Sequence, residues 1–136
     1  MFSIRMVKNS QGNLYFLESL RDVPFEIKRV YYITDVPAET VRGNHAHKKL
    51  EQVLIALKGR ILITLDDGED RKEILLDSPG KGLIVGKGVW RTMKWLDKDG
   101  VLLVLASDYY DEDDYIRDYE RFKQMAAEGF WDENKF

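Results

Sequence analysis

The chain of 136 residues contains no cysteine, only two histidines and only three prolines. Without cysteine, neither a disulfide framework nor a thiolate metal site can form. No apolar run approaches the roughly 18 residues of a membrane-spanning helix, and residues 1–8 lack the apolar stretch of a signal peptide. We therefore expect a cytoplasmic protein that does not enter the membrane.

The sequence also lacks a strong charge of one sign. Its formal net charge is -3, with 44% hydrophobic and 33% charged residues, which is typical of a globular domain and gives no field that attracts nucleic acid. The length fits one domain of common size, and we expect a single domain over residues 1–136. An anionic ligand would have to be bound by a few well-placed arginines.

Short apolar segments alternate with turn-forming sequences through about residue 107. Many short strands joined by tight turns favour an antiparallel sandwich or barrel over βαβ units. We expect strands close to residues 2–7, 14–20, 25–33, 53–57, 61–65, 74–76, 82–85, 89–95 and 101–106, with a further strand through the histidines.

The C-terminal part of the chain has a different pattern. From Asp111 the sequence is acidic and then acquires helical spacing. The spacing predicts one C-terminal helix within about residues 111–128, packed on the sheet or on a partner subunit. Its apolar stripe consists of Tyr115, Ile116, Tyr119, Phe122 and Met125.

Both histidines lie in one short stretch, at His45 and His47. Successive side chains of a strand alternate between its faces, so the two imidazoles point the same way and can reach one small volume. Glu51 shares their parity if the strand continues regularly. Two solvent-facing histidines on a polar strand would give the same pattern.

A divalent metal site is one interpretation of this stretch, since imidazoles and a carboxylate inside a β-barrel bind iron, manganese or zinc. His45, His47 and Glu51 would be the ligands. A barrel site of this kind usually takes a further histidine from a later strand, and the sequence has none left.

Direct proton transfer is the second interpretation. Imidazole has an unperturbed pKa near 6.5, so a histidine can abstract a proton next to a carbonyl. The resulting enediolate needs a positive group at its oxygens, which an arginine in a dry cavity supplies without titrating. Arg29, Arg42 and Arg91 are the candidates, although an arginine is more often a surface residue.

Several motifs together resemble one family. The run Arg42-Gly-Asn-His-Ala-His-Lys-Lys-Leu-Glu-Gln52 resembles the first cupin motif, and Gly82-Leu-Ile-Val-Gly-Lys-Gly-Val-Trp-Arg91 resembles the second, with arginine where metal-binding cupins carry histidine. Together with 27–33, 76–79 and 106–117, these runs are similar to the sugar-nucleotide 3,4-ketoisomerases, which are WxcM-like cupins acting on dTDP-4-oxo-6-deoxyglucose.

This resemblance implies an all-β, cupin (RmlC-like) jelly-roll barrel over about residues 1–107 with a C-terminal α-helix. It implies an enzyme without metal or other cofactor that moves a ketone from C4 to C3 of a dTDP-linked 4-oxo-6-deoxyhexose. The product would be aminated and acylated for a cell-surface glycan. The family also implies a homodimer with exchanged N-terminal strands.

The resemblance also implies roles for individual residues. His47 matches the base that takes the C3 proton and returns one at C4, and His45 matches a partner near the sugar oxygens. Arg29 and Arg42 match positions for the sugar and diphosphate. Gln52, in the same motif, is expected to bind substrate.

Two further positions bear on the stereochemistry at C4. Family members carry histidine or arginine at the position of Arg91, and arginine goes with the gluco product, dTDP-3-oxo-6-deoxyglucose. The turn residue paired with this choice aligns with Gln11, where the two groups of the family have tyrosine or arginine. A cupin epimerase acting on the same type of substrate and a non-catalytic sugar-nucleotide binding module are the alternatives.

Overall fold

Two five-stranded antiparallel sheets form the body of the computed structural model, which describes residues 1–131. In chain order the strands are β1 (Phe2–Ser3), β2 (Arg5–Asn9), β3 (Gly12–Phe16), β4 (Arg29–Ile33), β5 (Val41–His47), β6 (Gln52–Lys58), β7 (Ile61–Asp66), β8 (Arg71–Leu76), β9 (Lys81–Val85), β10 (Trp90–Trp95), β11 (Val101–Ala106) and β12 (Tyr115–Ile116). The first sheet has the order β1-β9-β6-β11-β4 and the second β12-β5-β10-β7-β8.

The apolar sequence of β6 follows from its place in the middle of the first sheet. Leu54 and Ala56 face the core between the sheets, whereas Val53 and Ile55 face a second apolar cluster under the N-terminal segment. Over residues 53–56 both faces of this strand are covered, which leaves no exposed position there for a polar residue. By contrast, β7 alternates, with Ile61 and Ile63 fully buried.

The main core lies between the two sheets. Leu54 and Val104 of the first sheet pack with Ile63, Met93 and Trp95 of the second. Trp95 is fully buried and its indole Nε1 donates to the carbonyl of Gly100 at 3.0 Å, which satisfies its one polar group. The predicted all-β architecture with one C-terminal helix is confirmed.

The strand predicted over residues 25–33 is shorter than expected. Only Arg29–Ile33 pairs with β11, whereas Phe25 and Ile27 pack into the cluster under the N-terminal segment. The Ile27 backbone N–H donates to the Ser19 hydroxyl instead of to a neighbouring strand. Apolar periodicity shows that these residues are covered, but it does not show what covers them.

The predicted helix of about 111–128 is also too long. Helix α1 spans Tyr119–Ala127 and begins where the Asp118 carboxylate accepts from the N–H groups of Glu120 and Arg121. Glu112–Asp114 form a 3-10 turn, and Tyr115 and Ile116 pair with β5 as strand β12. The first two members of the apolar stripe therefore belong to the sheet. The described helix is too short and too polar to cross a membrane.

Helix α1 is held on the second sheet by an aromatic cluster. Phe122 is fully buried against Trp90 and Trp131, and the rings of Trp90 and Tyr119 meet edge to face at 5.2 Å. The Trp131 indole also donates to the carbonyl of Lys48, just after β5. The helix thus supports the strand that carries the histidines.

The hairpin β2–β3 pairs with neither sheet within the described residues. Its tip is a tight turn in which the Asn9 side chain accepts from the N–H of Gln11. Apolar side chains along the hairpin are solvent-exposed, among them Met6, Val7 and Leu14. Such an exposed apolar hairpin is unusual for a free monomer.

Truncation of Phe122 tests the packing of the helix. Phe122→Ala is expected to lower the free energy of unfolding by about 3–5 kcal/mol, because a large buried ring leaves a cavity. The matched change at the exposed Phe130 should cost about 1 kcal/mol or less. Urea unfolding of both variants measures the difference, and equal losses would contradict the packing described above.

Candidate active site

Strand β5 carries His45 and His47 on its inner face, toward the first sheet. The two rings meet edge to face with centroids 4.9 Å apart, and Tyr115 of the neighbouring β12 lies 5.0 and 4.4 Å from them. His47 has no solvent exposure. The alternative of two solvent-facing histidines is therefore wrong.

A β-bulge sets the orientation of this strand relative to β10. His45 pairs with Arg91 and Gly43 pairs with Thr92, which leaves Asn44 as the extra residue. Gly43 and Asn44 have φ of 93° and 57°, and a Cβ on Gly43 would lie 3.0 Å from the Arg91 carbonyl oxygen. Glycine permits this close approach. The bulge places Arg91 directly opposite His45.

Asp114 fixes the tautomer of His47. Its carboxylate Oδ2 lies 3.2 Å from Nδ1 of His47 and also accepts from the N–H of Leu50, while Oδ1 accepts from the N–H of Lys49. An ionised carboxylate can only accept, so Nδ1 carries the proton and Nε2 of the neutral ring presents a lone pair.

Two buried nitrogen atoms among the described residues have no hydrogen-bond partner, Nε2 of His47 and Nε of Arg29. One is an acceptor and the other a donor, and both residues line the same cavity of about 150 Å³. The walls come from β4, the end of β5 and the segment 107–115. Buried polar groups are nearly always paired, so this cavity is built to receive a polar ligand.

Burial keeps both imidazoles neutral. It lowers the pKa of His45 to about 3 and that of His47 to about 2, with the positive charge of Arg91 adding to the effect. The Asp114 carboxylate favours the imidazolium of His47 and acts in the opposite direction. Burial also lowers the pKa of Arg91 to about 10, which leaves this guanidinium charged at neutral pH.

Arg91 is held rigidly between the two sheets. Its Nε and Nη2 donate to the carbonyl of Val89, and its Nη1 donates to Oε1 of Gln52 on the first sheet at 2.6 Å. The Gln52 amide nitrogen in turn donates to the Tyr31 hydroxyl at 3.0 Å. Burial raises the pKa of Tyr31, so its phenol stays protonated.

The other predicted residues lie elsewhere. Arg42 is exposed on β5 and does not line the cavity, and Gln11 is exposed at the tip of the β2–β3 hairpin. Strand β5 ends at His47, so Glu51 lies in the connection to β6 and the expected shared parity is lost. The roles assigned to Arg42 and Gln11 stay predictions.

Three residues of the site received no role from the sequence, Asp114, Tyr31 and Tyr115. All three lie in the motifs quoted above. Each is one of several tyrosines or acidic residues there, so the sequence does not single it out. Asp114 is one of four carboxylates within 111–114, and only the fold brings it to His47.

The chemistry that this site supports is proton transfer beside a carbonyl. His47 lines the cavity, whereas His45 and the buried, charged guanidinium of Arg91 lie behind it. Neutral imidazoles with one fixed lone pair and a charged guanidinium shielded from water are the groups that form and stabilise an enediolate. Among residues 1–131, no group of three or more His, Cys, Asp or Glu side chains could hold a metal ion.

Two facing β-sheets with a polar site between them at one end define a protein of the cupin type. The chain belongs to the FdtA family, described as WxcM-like, C-terminal, whose model matches residues 1–127. The family predicted from the motifs is thereby confirmed.

Characterised relatives share most of the chain. A TDP-4-oxo-6-deoxy-alpha-D-glucose-3,4-oxoisomerase of Aneurinibacillus thermoaerophilus is 51% identical over 93% of this chain and 91% of its own. QdtA, a 3,4-ketoisomerase of Thermoanaerobacterium thermosaccharolyticum solved with TDP, is 46% identical (TM-score 0.91, covering 95% and 94%). A histidine-to-asparagine mutant of QdtA has been solved with TDP-4-keto-6-deoxyglucose.

Two solved enzymes of Campylobacter jejuni differ in their named sugar. The TDP-quinovose 3,4-ketoisomerase WlaRB is 48% identical, with a TM-score of 0.86 over 90% of this chain and 94% of its own. The TDP-fucose-3,4-ketoisomerase WlaRA is 36% identical, with a TM-score of 0.88 over 95% of this chain and 96% of its own. The epimerase RmlC of Legionella pneumophila is only 13% identical, with a TM-score of 0.71 over 84% of this chain and 69% of its own, and shares the fold alone. The predicted RmlC-like fold class is confirmed.

The low pKa of His47 predicts how stability depends on pH. An unfolded histidine gains a proton below about pH 6.5 that the native ring excludes, so the free energy of unfolding should fall with decreasing pH, by up to about 1.4 kcal/mol per unit for this residue. His47→Asn should have a shallower slope between pH 7 and pH 5. Urea unfolding at both pH values measures this, and parallel slopes would contradict a neutral native imidazole.

Proposed function

We propose that this protein is a 3,4-ketoisomerase that converts a dTDP-linked 4-oxo-6-deoxyhexose into its 3-oxo isomer. The observation that carries the proposal is a pair of unpartnered buried nitrogens, His47 Nε2 and Arg29 Nε, on two residues that line one cavity, with a second neutral imidazole next to His47. The named activities of the close relatives support the same reaction.

The reaction requires two proton transfers at carbon and one between the two oxygens. A base removes the proton from C3 to form an enediolate, and C4 is then protonated; the hydroxyl proton passes from the C3 oxygen to the C4 oxygen. Two imidazoles with centroids 4.9 Å apart can divide this work. We assign removal of the C3 proton to His47, because Asp114 fixes its free lone pair and stabilises the imidazolium that forms. In the gluco product the new C4 hydrogen lies on the opposite face of the ring from the C3 hydrogen that is removed, so solvent supplies the C4 proton from that other face. His45 then serves the sugar oxygens.

The cations have separate tasks in this scheme. Arg91, charged and shielded from water opposite His45, stabilises the negative charge of the enediolate. Arg29, stacked near the rings of Tyr31 and Tyr110, binds the sugar or the adjoining phosphate through its free Nε. The cavity is smaller than the roughly 300–1,000 Å³ of sites for drug-sized ligands, so the nucleotide extends beyond it.

The gluco isomer, dTDP-3-oxo-6-deoxyglucose, is the product that we propose. Arg91 occupies the position where arginine is expected for this outcome. The higher identity to the TDP-quinovose enzyme than to the TDP-fucose enzyme supports it, since quinovose is 6-deoxyglucose and fucose is 6-deoxygalactose. We further propose that the product serves a 3-amino-3,6-dideoxyhexose of surface glycans such as O-antigen, made in the cytoplasm.

Incubation with dTDP-4-oxo-6-deoxyglucose in deuterated water, followed by NMR, tests the reaction. We expect the ketone at C3, one deuterium at C4 and the gluco configuration there. Exchange at C3 or C5 without movement of the ketone would identify an epimerase instead. Bound ligand without any exchange would identify a binding module and contradict the isomerase.

Asparagine variants at each histidine test the division of work. His47→Asn is expected to lose exchange at C3 together with turnover, by about 10²- to 10⁴-fold. His45→Asn should slow ketone transfer while exchange at C3 persists. If exchange is lost in His45→Asn and persists in His47→Asn, the two roles are reversed.

We also propose that the protein is a homodimer with exchanged N-terminal strands. The hairpin β2–β3 is unpaired with either sheet of its own chain and exposes Met6, Val7 and Leu14. Exchange would cover these apolar side chains. It would also bring Gln11, at the hairpin tip, to the partner's site, in keeping with its predicted contact with substrate.

Two lysines introduced on this hairpin test the dimer. Val7→Lys with Leu14→Lys should give a monomer by light scattering, because the two side chains face each other across β2–β3 and the lysines would repel across any interface there. Lys8→Leu, on the same hairpin, is the control and should stay dimeric. A wild-type protein that is monomeric at micromolar concentration would contradict the proposal.

A further inference from the structure

Two buried polar side chains and one half-buried tyrosine form one hydrogen-bonded chain between the two sheets. Arg91 on β10 donates to Gln52 on β6 at 2.6 Å, and Gln52 donates to Tyr31 on β4 at 3.0 Å. Arg91 and Gln52 are 1% and 2% exposed. Both ends of the Gln52 amide are therefore occupied inside the protein.

The direction of these hydrogen bonds follows from chemistry. A guanidinium has only donors, so the carbonyl end of the Gln52 amide must face Arg91. The amino end then faces Tyr31 and can only donate, so the phenol oxygen must accept. The hydroxyl proton of Tyr31 is left over, and among the described residues it has no acceptor.

The Tyr31 ring is a neighbour of a residue of the proposed site. Tyr31 shares the inward face of β4 with Arg29, whose guanidinium lies 5.2 Å from the Tyr31 ring and whose side chain lines the cavity. The phenol is protonated because burial raises its pKa. It can therefore act as a hydrogen-bond donor toward a ligand oxygen.

We propose that Gln52 is a positioning residue: its amide fixes the direction of the chain from Arg91 to Tyr31 and keeps the Tyr31 proton available to the substrate. This inference rests on the proposed isomerase function and replaces the expected contact of Gln52 with substrate. Gln52 acts through Arg91 and Tyr31, and its two hydrogen bonds fix the distance between these side chains on opposite sheets.

Two substitutions separate positioning from simple structural support. In Gln52→Glu the carboxylate accepts from Arg91 and from Tyr31, so both contacts remain but the phenol proton is consumed. In Gln52→Met both hydrogen bonds are lost, yet the phenol proton stays free. A structural role predicts that Met is the more damaging change, whereas the positioning role predicts that Glu is.

The kinetic test compares kcat and KM of these variants. We expect Gln52→Glu to lower kcat by about 10²-fold or more with little change in KM, and Gln52→Met to lower it less. If Gln52→Glu acts by consuming the phenol proton, it should add almost nothing to Tyr31→Phe. A loss that persists in full on top of Tyr31→Phe would show that the new carboxylate acts through the charge of Arg91 and would overturn the inference. Gln124→Glu, the same change on the exposed face of α1, should have wild-type kinetics.

A second readout needs no turnover. With tyrosine labelled at ¹³Cζ, the Tyr31 resonance, assigned through Tyr31→Phe, should move downfield in Gln52→Glu because the phenol now donates to a carboxylate. An unmoved resonance, or a kcat lower in Gln52→Met than in Gln52→Glu, overturns the inference. A wild-type protein without isomerase activity refutes the proposed function separately, and the resonance still decides the direction of the hydrogen bonds.

Discussion

The site depends on the hydrogen bond between His47 and Asp114. The carboxylate fixes which ring nitrogen carries the proton and, through the N–H groups of Lys49 and Leu50, also holds the chain as it leaves β5. The Asp114 side chain thus binds the backbone at the end of β5 and fixes the tautomer of His47, the last residue of that strand. The 3-10 turn that contains Asp114 and the short strand β12 keep this carboxylate in place.

The second constraint is charge in a dry environment. Arg91 is held by Val89 and Gln52, so in the proposed reaction it would need no reorganisation as negative charge develops on a substrate oxygen. The bulge at Gly43 and Asn44 brings this guanidinium opposite His45. Two neutral imidazoles beside a fixed cation are an arrangement that favours proton transfer.

Much of this arrangement could be predicted from sequence. The period of two places His45 and His47 on one face, and apolar runs between turns predict most strands of the two sheets. Local periodicity could not predict that Tyr115 and Ile116 pair with β5, because their spacing also fits a helix. It could not find Asp114, which is 67 residues from His47 along the chain.

The role of Gln52 shows a further limit of sequence reasoning. Its place in a motif predicts a contact with substrate, but only the fold shows that both ends of its amide are engaged. The bulge at Asn44 is similarly invisible to periodicity, since one extra residue changes the pairing with β10 without changing the apolar pattern. Side chains that meet across sheets require the tertiary structure.

The state of His47 in the free protein is the most direct test of this account. Because the chain has only two histidines, ¹⁵N-edited NMR can resolve both rings, with His45→Asn for assignment. We predict a neutral His47 between pH 5 and pH 8, with the proton on Nδ1 and Nε2 unprotonated. A charged ring, or a proton on Nε2, would contradict the assignment of His47 as a base held by Asp114.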